Sequence, residues 1–234
     1  MEACGIPATY DAIESDPRGR SQALDYSTEE TKRLINTSKL LGVGLTPLIH
    51  ASLVHAAHLL GGKTDSAIHS TVLIFNARDE CRRWSPNTTS AQAAALRIGF
   101  WPVQITIAED IFQTAANFKG QYDLLARNKL PILASMVPHL EKSLPILAKN
   151  YFRSIIPSFI GNLSRKFPQR YRFFKVQKFW LVALPTDTRT YVGIQTFGNR
   201  LSIRLAYDER YHSDEQMAEY LRLIKHQLCL LSLT

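Results

Sequence analysis

The C-terminal third of the sequence is its most regular part and constrains the fold most. Segments 174–184, 189–197 and 201–207 alternate apolar and polar residues or run apolar, which is typical of β-strands. Turn-forming residues separate them at 185–187 (Pro-Thr-Asp) and 198–199 (Gly-Asn). The pattern predicts an antiparallel meander of three strands.

A helix is predicted directly after the third of these segments. Ser213 can cap its N-terminus, and Asp214 and Glu215 favour the positive end of the helix dipole. The apolar residues that follow recur at helical spacing and predict one buried stripe. They are Met217, Tyr220, Leu221, Ile224 and Leu228.

Two further helices are predicted in the first quarter of the chain. Ser27 and Glu30 have the spacing of a capping box, which predicts a helix from there to about residue 41. The dipeptide 46–47 (Thr-Pro) predicts the start of a second helix, because proline is favoured at the first helical position. Glycines at 61–62 end that helix.

The middle of the chain alternates strands with a helix. Apolar, β-branched runs predict strands over 67–76 and 96–107, and an amphipathic pattern predicts a helix over 110–127. Residues 130–160 contain prolines 131, 138, 145 and 157, so short helical pieces kinked at each proline are expected there.

Together these elements predict an α/β fold, a layered mixed β-sheet with packed helices. Residues 1–26 lack periodicity and are interpreted as an N-terminal arm or linker, which leaves 27–234 as one domain. Apolar residues make up 45% of the chain and charged residues 21%, the composition of a soluble globular protein.

The cysteines and the N-terminus favour a cytoplasmic protein. Cys4, Cys81 and Cys229 are widely spaced, so they predict neither a disulfide framework nor a metal site of the CxxC type. The first residues carry early acids and no apolar core, unlike a secretory signal. The uncharged stretch 40–62 contains three histidines and four glycines, so no membrane span is predicted.

The net charge of +8 is concentrated in one tract. No acidic residue lies between Glu141 and Asp187, whereas basic residues recur throughout that segment. A local excess of this kind attracts anions, including phosphate groups, nucleic acid and anionic membranes. Aromatic residues interleave with the basic ones, as in grooves for single-stranded nucleic acid. No RNA-binding motif accompanies them, so nucleic acid is not the expected partner.

The order of several motifs resembles the order found in a known protein family. A capped helix, "GVGLTPLIHASLVHAAHLL", "VLIFNARDE", "IGFWPV", "PSFIGNLSRK" and "YVGIQTFGNRLSIRLAYDERYHSDEQ" follow one another. In order and spacing they resemble the second, C-terminal lobe of the condensation-domain and alcohol-acetyltransferase superfamily, whose fold is that of chloramphenicol acetyltransferase. The resemblance covers about 27–231.

The resemblance implies positions for ligands. It places one group of residues at strand ends beside the tunnel between two lobes, where a small-molecule substrate would bind: Asn76, Arg78, Asn162 and Ser164. It also implies a coenzyme A thioester as a possible co-substrate, with no permanently bound cofactor. The basic residues expected to contact the coenzyme A phosphates are Arg165, Lys166, Arg170 and Arg172.

The chain departs from the family in its catalytic motif. Family enzymes carry a His-His-x-x-x-Asp motif on the first lobe, whose second histidine is the general base, and no such motif occurs here. Ser164 also replaces a usual glycine. The expectation is that this chain does not catalyse the family reaction alone, and that it self-associates or that a partner supplies a first lobe.

Other residues could in principle supply the missing base. His69 lies within a strand predicted to be buried, where a neutral imidazole could act as a base; a satisfied core histidine is the alternative. His55 and His58 share one helix face but would need further converging ligands to bind a metal. No metal site is therefore predicted.

The predicted function is that of an acyltransferase-like protein of small-molecule, secondary-metabolite biosynthesis. Related enzymes transfer an acyl group from coenzyme A or a carrier to an alcohol or amine. Two alternatives stay open at the level of sequence. The lobe could bind a lipophilic metabolite or promote its cyclisation without acylation, or it could be an inactive truncated homologue.

Overall fold

The computed structural model describes the chain over 5–10, 16–62, 67–76, 98–128, 155–165 and 167–230. The helices in these ranges are α1 (Thr28–Leu40), α2 (Leu45–Leu60), α3 (111–128) and α4 (Asp214–Leu230). The strands are β1 (Gly19–Asp25), β2 (Ile68–Asn76), β3 (Ile98–Thr106), β4 (Ile155–Asn162), β5 (Thr190–Phe197) and β6 (Arg200–Asp208). The predicted α/β class is confirmed.

The strands form two sheets. The larger sheet has the order β1-β6-β5-β4, in which β6 pairs antiparallel with both β1 and β5, and β4 pairs parallel with β5. The smaller sheet is the antiparallel pair β2-β3. The Thr71 hydroxyl of β2 donates to the carbonyl of Ile155 in β4 at 2.9 Å, which ties the two sheets together. The layered mixed sheet of the prediction is therefore present.

A tight turn joins the two central strands, β5 and β6. Gly198 and Asn199 both have positive φ, 58° and 61°, as a two-residue type I′ hairpin turn requires. Glycine adopts this conformation without steric cost, and asparagine tolerates it better than most residues. The turn predicted at these two residues is confirmed.

The C-terminal helix α4 packs on the core as predicted. Its buried residues are the five of the expected stripe, and the amide of Gln216 donates to the Ser213 hydroxyl at 3.1 Å, which makes Ser213 the cap. Helix α4 packs against α2, and the hydroxyl of Tyr220 donates to the carbonyl of Leu53 at 2.9 Å.

Helix α1 starts with the predicted capping box. The amide of Glu30 donates to the Ser27 hydroxyl at 3.1 Å, and the Ser27 amide donates to the Glu30 carboxylate at 2.7 Å. One turn later, the buried hydroxyl of Thr31 donates to the Ser27 carbonyl at 2.7 Å and accepts the amide of Leu201 at 2.9 Å. These bonds fix the start of α1 to the start of β6.

Helix α2 is more deeply buried than an amphipathic helix. Ten of its residues are buried, including every residue from Pro47 to Val54. It begins two residues earlier than predicted, so Pro47 is its third residue instead of its first, still within the first turn where a missing amide proton costs little. In the described part of the chain, no single helix is long and apolar enough to span a membrane; α1 and α2 meet that criterion only jointly and are bent by 101°.

The middle elements agree with the sequence pattern. Strands β2 and β3 and helix α3 form within one or two residues of the predicted bounds. The proline-containing pieces predicted over 130–160 lie mostly outside the described residues. The exception is 155–160, which belongs to β4 and is a strand rather than a helix. Because β4 is an edge strand, Pro157 removes no essential hydrogen bond between strands.

Two predictions about the sheet are wrong. Segment 174–184 is not a strand of the sheet. Only Lys175 within it forms a β-bridge, and its partner is Arg170, which precedes the segment. The three-strand meander is therefore replaced by the β5-β6 hairpin with β4 beside it. The predicted arm over 1–26 is also not wholly irregular, because Gly19–Asp25 forms β1 along the free side of β6.

The chain from 167 to 184 turns back on itself between Arg170 and Lys175 and then crosses the outer face of the larger sheet. We name it the ribbon. Side chains of β5 alternate between the two faces: Val192 and Ile194 belong to the helix-packed core, whereas Gln195 donates to the Phe179 carbonyl of the ribbon. A Cβ on Gly193 would lie 3.1 Å from the Leu181 carbonyl oxygen. Glycine therefore permits the close approach of the ribbon.

The Thr31 contacts yield a test of how α1 is attached. Thr31→Val keeps the shape but leaves the amide of Leu201 without its acceptor, so we expect the free energy of unfolding to fall by about 1–3 kcal/mol. Urea unfolding followed by circular dichroism measures this. Thr37→Val, in the same helix at a half-buried position, is the control and should change stability little. Equal stability of the two variants would contradict the role given to Thr31.

Candidate functional site

The basic residues predicted to contact phosphates are exposed on the ribbon and just before it. Arg165 ends a short 3₁₀ helix after β4, Arg170 forms the bridge with Lys175, and the guanidinium of Arg172 lies 5.1 Å from the Phe173 ring centroid. No described carboxylate forms an ion pair with Arg165, Arg170 or Arg172. These cations are available to a ligand, and an anion site there stays a prediction.

Lys166 and Arg78 lie outside the described residues. Asn76 ends β2, where its backbone pairs with Ile98 of β3. The structure therefore places the backbone of Asn76 at a strand end, as the resemblance implies, and leaves the expected roles of these three residues as predictions.

Asn162 and Ser164 have structural contacts at the turn after β4. The Asn162 side-chain oxygen accepts the amide of Ser164 at 3.0 Å, and the Ser164 hydroxyl accepts the amide of Gly198 at 2.8 Å. The first bond is an Asx-turn, and the second joins this turn to the β5-β6 hairpin. Asn162 is exposed and Ser164 half-buried. Their predicted contact with a substrate would add to these bonds.

His69 lies inside a cluster of rings between α2, β2, α3 and β4. Its imidazole is fully buried, and neither ring nitrogen has a hydrogen-bond partner among the described residues. The ring centroid of His50 lies 5.4 Å away, edge-on, and that of Phe118 lies 5.9 Å away. The burial predicted for His69 is correct, but the described residues supply none of the hydrogen-bond partners expected of a satisfied core histidine.

His50 is the other buried imidazole of this cluster. It stacks on Phe118 with ring centroids 3.7 Å apart, and its Nδ1 lies 3.2 Å from the Tyr122 hydroxyl. His50 is 0% exposed. The absence of charged residues from α2 is the signal that predicts a helix buried all round.

Burial sets the protonation state of these imidazoles. It lowers the pKa of His69 to about 3. Burial, with a further contribution from nearby His69, holds the pKa of His50 well below its usual value. His55 is hydrogen-bonded to the Thr114 hydroxyl at 2.9 Å, and burial lowers its pKa to about 4. All three are neutral at pH 7.

A neutral imidazole is a base in principle, but His50 and His69 are enclosed by packed side chains. A general base must come within hydrogen-bond distance of the group that it deprotonates, and neither ring reaches solvent. In the described part of the chain, no three or more His, Cys, Asp or Glu residues converge on a possible metal position. The cluster therefore acts as part of the core in this structure.

The ribbon exposes large apolar side chains to solvent. Phe173 is 85% exposed and Leu181 60% exposed. The other ribbon residues with large exposed apolar surface are Phe167, Tyr171, Phe174, Phe179, Trp180 and Leu184. Such a concentration is unusual on the surface of a monomer and is typical of a surface that another component covers.

A cleft of about 430 Å³ opens beside the ribbon, between the start of α1 and the β5-β6 hairpin. Its aromatic wall includes Phe179, Trp180 and Phe197, and its polar lining includes Gln195 and Arg204. The sequence analysis missed this cleft, because it arises only from the ribbon crossing the sheet. The alternation of Gln195 with the core residues of β5 is the one sequence signal for a polar outer face.

Comparison with solved structures identifies the architecture. The chain superposes on the trichothecene 15-O-acetyltransferase from Fusarium sporotrichioides with a TM-score of 0.74 and 15% identity, over 97% of this chain and 48% of that one. The chain has the fold of one lobe of such enzymes. The sequence matches no protein-family model and no curated protein.

Two further structures have the same architecture. The epimerization domain from the third module of tyrocidine synthetase B gives a TM-score of 0.65 at 14% identity, over 97% of this chain and 51% of that one. The PapA2 acyl transferase gives 0.63 at 11% identity, over 99% of this chain and 48% of that one. The chain thus spans about half the length of each of these structures, as expected for one lobe of a two-lobed fold.

The buried imidazoles make stability depend on pH. The unfolded chain binds protons at these histidines below about pH 6.5, whereas the folded chain does not. The free energy of unfolding should therefore fall as the pH drops from about 6.5 toward the folded-state values, by about 1.4 kcal/mol per pH unit for each such histidine. Urea unfolding at several pH values between 7.5 and 5 measures the slope.

One variant measures how much of this pH dependence of stability comes from His69 in the cluster of rings. His69→Leu should reduce the pH dependence by one proton, and Gln113→Leu, which removes no titratable group at an exposed position of α3, should leave it unchanged. An unchanged slope in His69→Leu would mean that His69 titrates alike in the folded and unfolded states.

Proposed function

We propose that this chain is the acyltransferase-like lobe of a protein of small-molecule biosynthesis. In the complete protein, an acyl group passes from coenzyme A or a carrier to an alcohol or amine of a secondary metabolite. The observation that carries the proposal is the superposition of nearly the whole chain on half of an acetyltransferase structure. Fold alone is compatible with several activities. The proposal of acyl transfer therefore also depends on the surfaces described above.

The proposal assigns the general base to a complementary lobe. The sequence contains no His-His-x-x-x-Asp motif, and the imidazoles of His50 and His69 are enclosed. A positioned base contributes roughly 100- to 10,000-fold to a rate. We therefore expect this chain by itself to transfer acetyl groups from acetyl coenzyme A to alcohols no faster than the uncatalysed background.

The ribbon is the surface that we assign to the complementary lobe. Its apolar residues are exposed although the opposite face of the sheet is packed with helices. No described residue pairs with the backbone of 180–184 in a sheet. The basic residues along the ribbon favour a partner whose rim is acidic.

Coenzyme A binding by the basic tract gives the first test of this function. If Arg165 and Arg170 contact its phosphates, Arg165→Glu with Arg170→Glu should weaken binding at least about tenfold, because each charge-assisted hydrogen bond is worth roughly 1.5–3 kcal/mol. Calorimetric titration of coenzyme A and of dephosphocoenzyme A measures this, and salt should weaken the wild-type interaction.

The matched control reverses two charges elsewhere. Arg33→Glu with Arg127→Glu changes the net charge equally at exposed helix positions and should leave coenzyme A binding nearly intact. If the wild type binds neither ligand, coenzyme A is not the donor recognised by this chain. The metabolite-binding alternative would then be favoured.

The ribbon gives a second test. Without a complementary lobe, the exposed aromatic and aliphatic groups should make the isolated chain self-associate at micromolar concentrations, and sedimentation velocity measures this. Phe173→Asp with Leu181→Asp should restore a monomer. Leu40→Asp is the control, because Leu40 is 89% exposed but lies at the end of α1. A wild-type chain that stays monomeric would argue against the ribbon as a docking surface.

A further inference from the structure

Three residues that line the cleft have a buried polar atom without a partner among the described residues: Tyr26, whose ring belongs to the hydrophobic core, and Gln195 and Arg204 on the sheet. Gln195 is 4% exposed; its amide nitrogen donates to the Phe179 carbonyl, and its Oε1 accepts no hydrogen bond from any described residue. Nε of Arg204 is also buried and likewise without a described partner. Buried polar groups are almost always hydrogen-bonded in native proteins. Neighbouring protein atoms cover both Gln195 Oε1 and Arg204 Nε, so a molecule bound in the cleft that displaces this cover could satisfy one acceptor and one donor.

The two atoms belong to side chains on the same face of the hairpin. Gln195 lies directly opposite Ser202 in the β5-β6 ladder, and Arg204 follows Ser202 by two residues, so all three point to the outer face. Gln195 and Arg204 are diagonal neighbours across the pair, a spacing at which long side chains reach each other. One small ligand can thus contact both.

Trp180 completes the site with a flat apolar surface. Its ring lies 4.3 Å from the Arg204 guanidinium carbon and lines the same cleft. The stacking holds the guanidinium in a fixed plane. Trp180 is 51% exposed, so part of its ring is available to pack against a ligand.

The other charged residues that line the cleft are paired or exposed. The Asp25 carboxylate accepts hydrogen bonds from Lys178 at 2.8 Å and from the Ser202 hydroxyl at 2.7 Å. Glu29 and Arg200 line the cleft at exposed positions. Gln195 and Arg204 thus contribute the buried polar atoms with which a ligand would pair.

The pairing of an acceptor with a cationic donor selects among ligand groups. A carboxylate could accept from Arg204 but has no proton to donate to Gln195 Oε1. An ammonium group could donate to Gln195 but would be repelled by the guanidinium. A carboxamide has both an N–H donor and a C=O acceptor side by side and carries no charge.

We propose that the cleft binds a neutral molecule that carries a carboxamide on a flat apolar group. The amide N–H donates to Gln195 Oε1, the amide carbonyl accepts from Arg204 Nε, and the flat group lies against Trp180. This site does not depend on the proposed acyl transfer, because none of these three residues belongs to the predicted substrate or coenzyme A positions.

Three related probes test the proposal on the full chain. Benzamide has both the donor and the acceptor, methyl benzoate lacks the donor, and benzoate lacks the donor and is charged. In nitrogen-15 spectra, benzamide should shift the side-chain signals of Gln195 and Trp180, assigned from Gln195→Leu and Trp180→Phe. Its dissociation constant should be at least about tenfold lower than that of methyl benzoate, the effect of one unpaired buried hydrogen bond.

Two variants separate binding from folding. Gln195→Leu and Arg204→Met each remove one of the two polar partners, and each should weaken benzamide binding about tenfold while the remaining backbone signals keep their positions. Gln113→Leu replaces an exposed glutamine on α3 and should bind benzamide like the wild type. If Gln195→Leu displaces the ribbon, Arg204→Met still tests the site.

Each outcome either supports the proposed carboxamide site or overturns it. Selective benzamide binding that both variants lose supports the site. Equal binding of benzamide and methyl benzoate would reduce the cleft to an apolar groove, and tighter binding of benzoate would make it an anion site. Either result overturns the proposal, as does the absence of any shift at Gln195 and Trp180.

Discussion

In the part of the chain that the structure describes, helices pack on only one face of the larger sheet, and most other features of the protein depend on this asymmetry. Strands β5 and β6 direct Val192, Ile194 and Ile203 into the core with α4. Their other face has no helical layer among the described residues and is covered instead by the extended ribbon. A sheet with one helical layer needs a second cover for its remaining apolar surface. The ribbon supplies part of it, and its own outer side stays apolar.

The sequence predicted the elements whose signals are local. The capping box at Ser27, the cap at Ser213 and the turn at 198–199 each depend on a few adjacent residues, and the structure has all three. The choice of sheet partners was not predictable in this way. Segments 19–25, 155–162 and 174–184 all have some strand character, and which of them pairs depends on contacts distant in sequence.

In the candidate site, too, local features were predictable and features that depend on distant contacts were not. Burial of His69 followed from its apolar, β-branched strand, and the uncharged sequence of α2 is a signal for burial of His50. The ring contacts of His50 could not be predicted, because they depend on α3 covering α2 through Phe118 and Tyr122. The clustering of basic residues was visible in sequence, but their exposed placement on an extended chain was not. The cleft beside Trp180 could not be predicted at all, because it needs the ribbon, the hairpin and α1 in their final positions.

The parallel pairing of β4 with β5 has a further consequence. Two parallel strands must be joined by a chain that returns along the full length of the sheet, and this crossover is usually a helix. Here the chain between Asn162 and Thr190 includes the ribbon, which therefore is tethered at opposite ends of the sheet. A chain anchored at both ends samples fewer positions than a free tail. The ribbon therefore holds its aromatic residues near the sheet before any partner arrives.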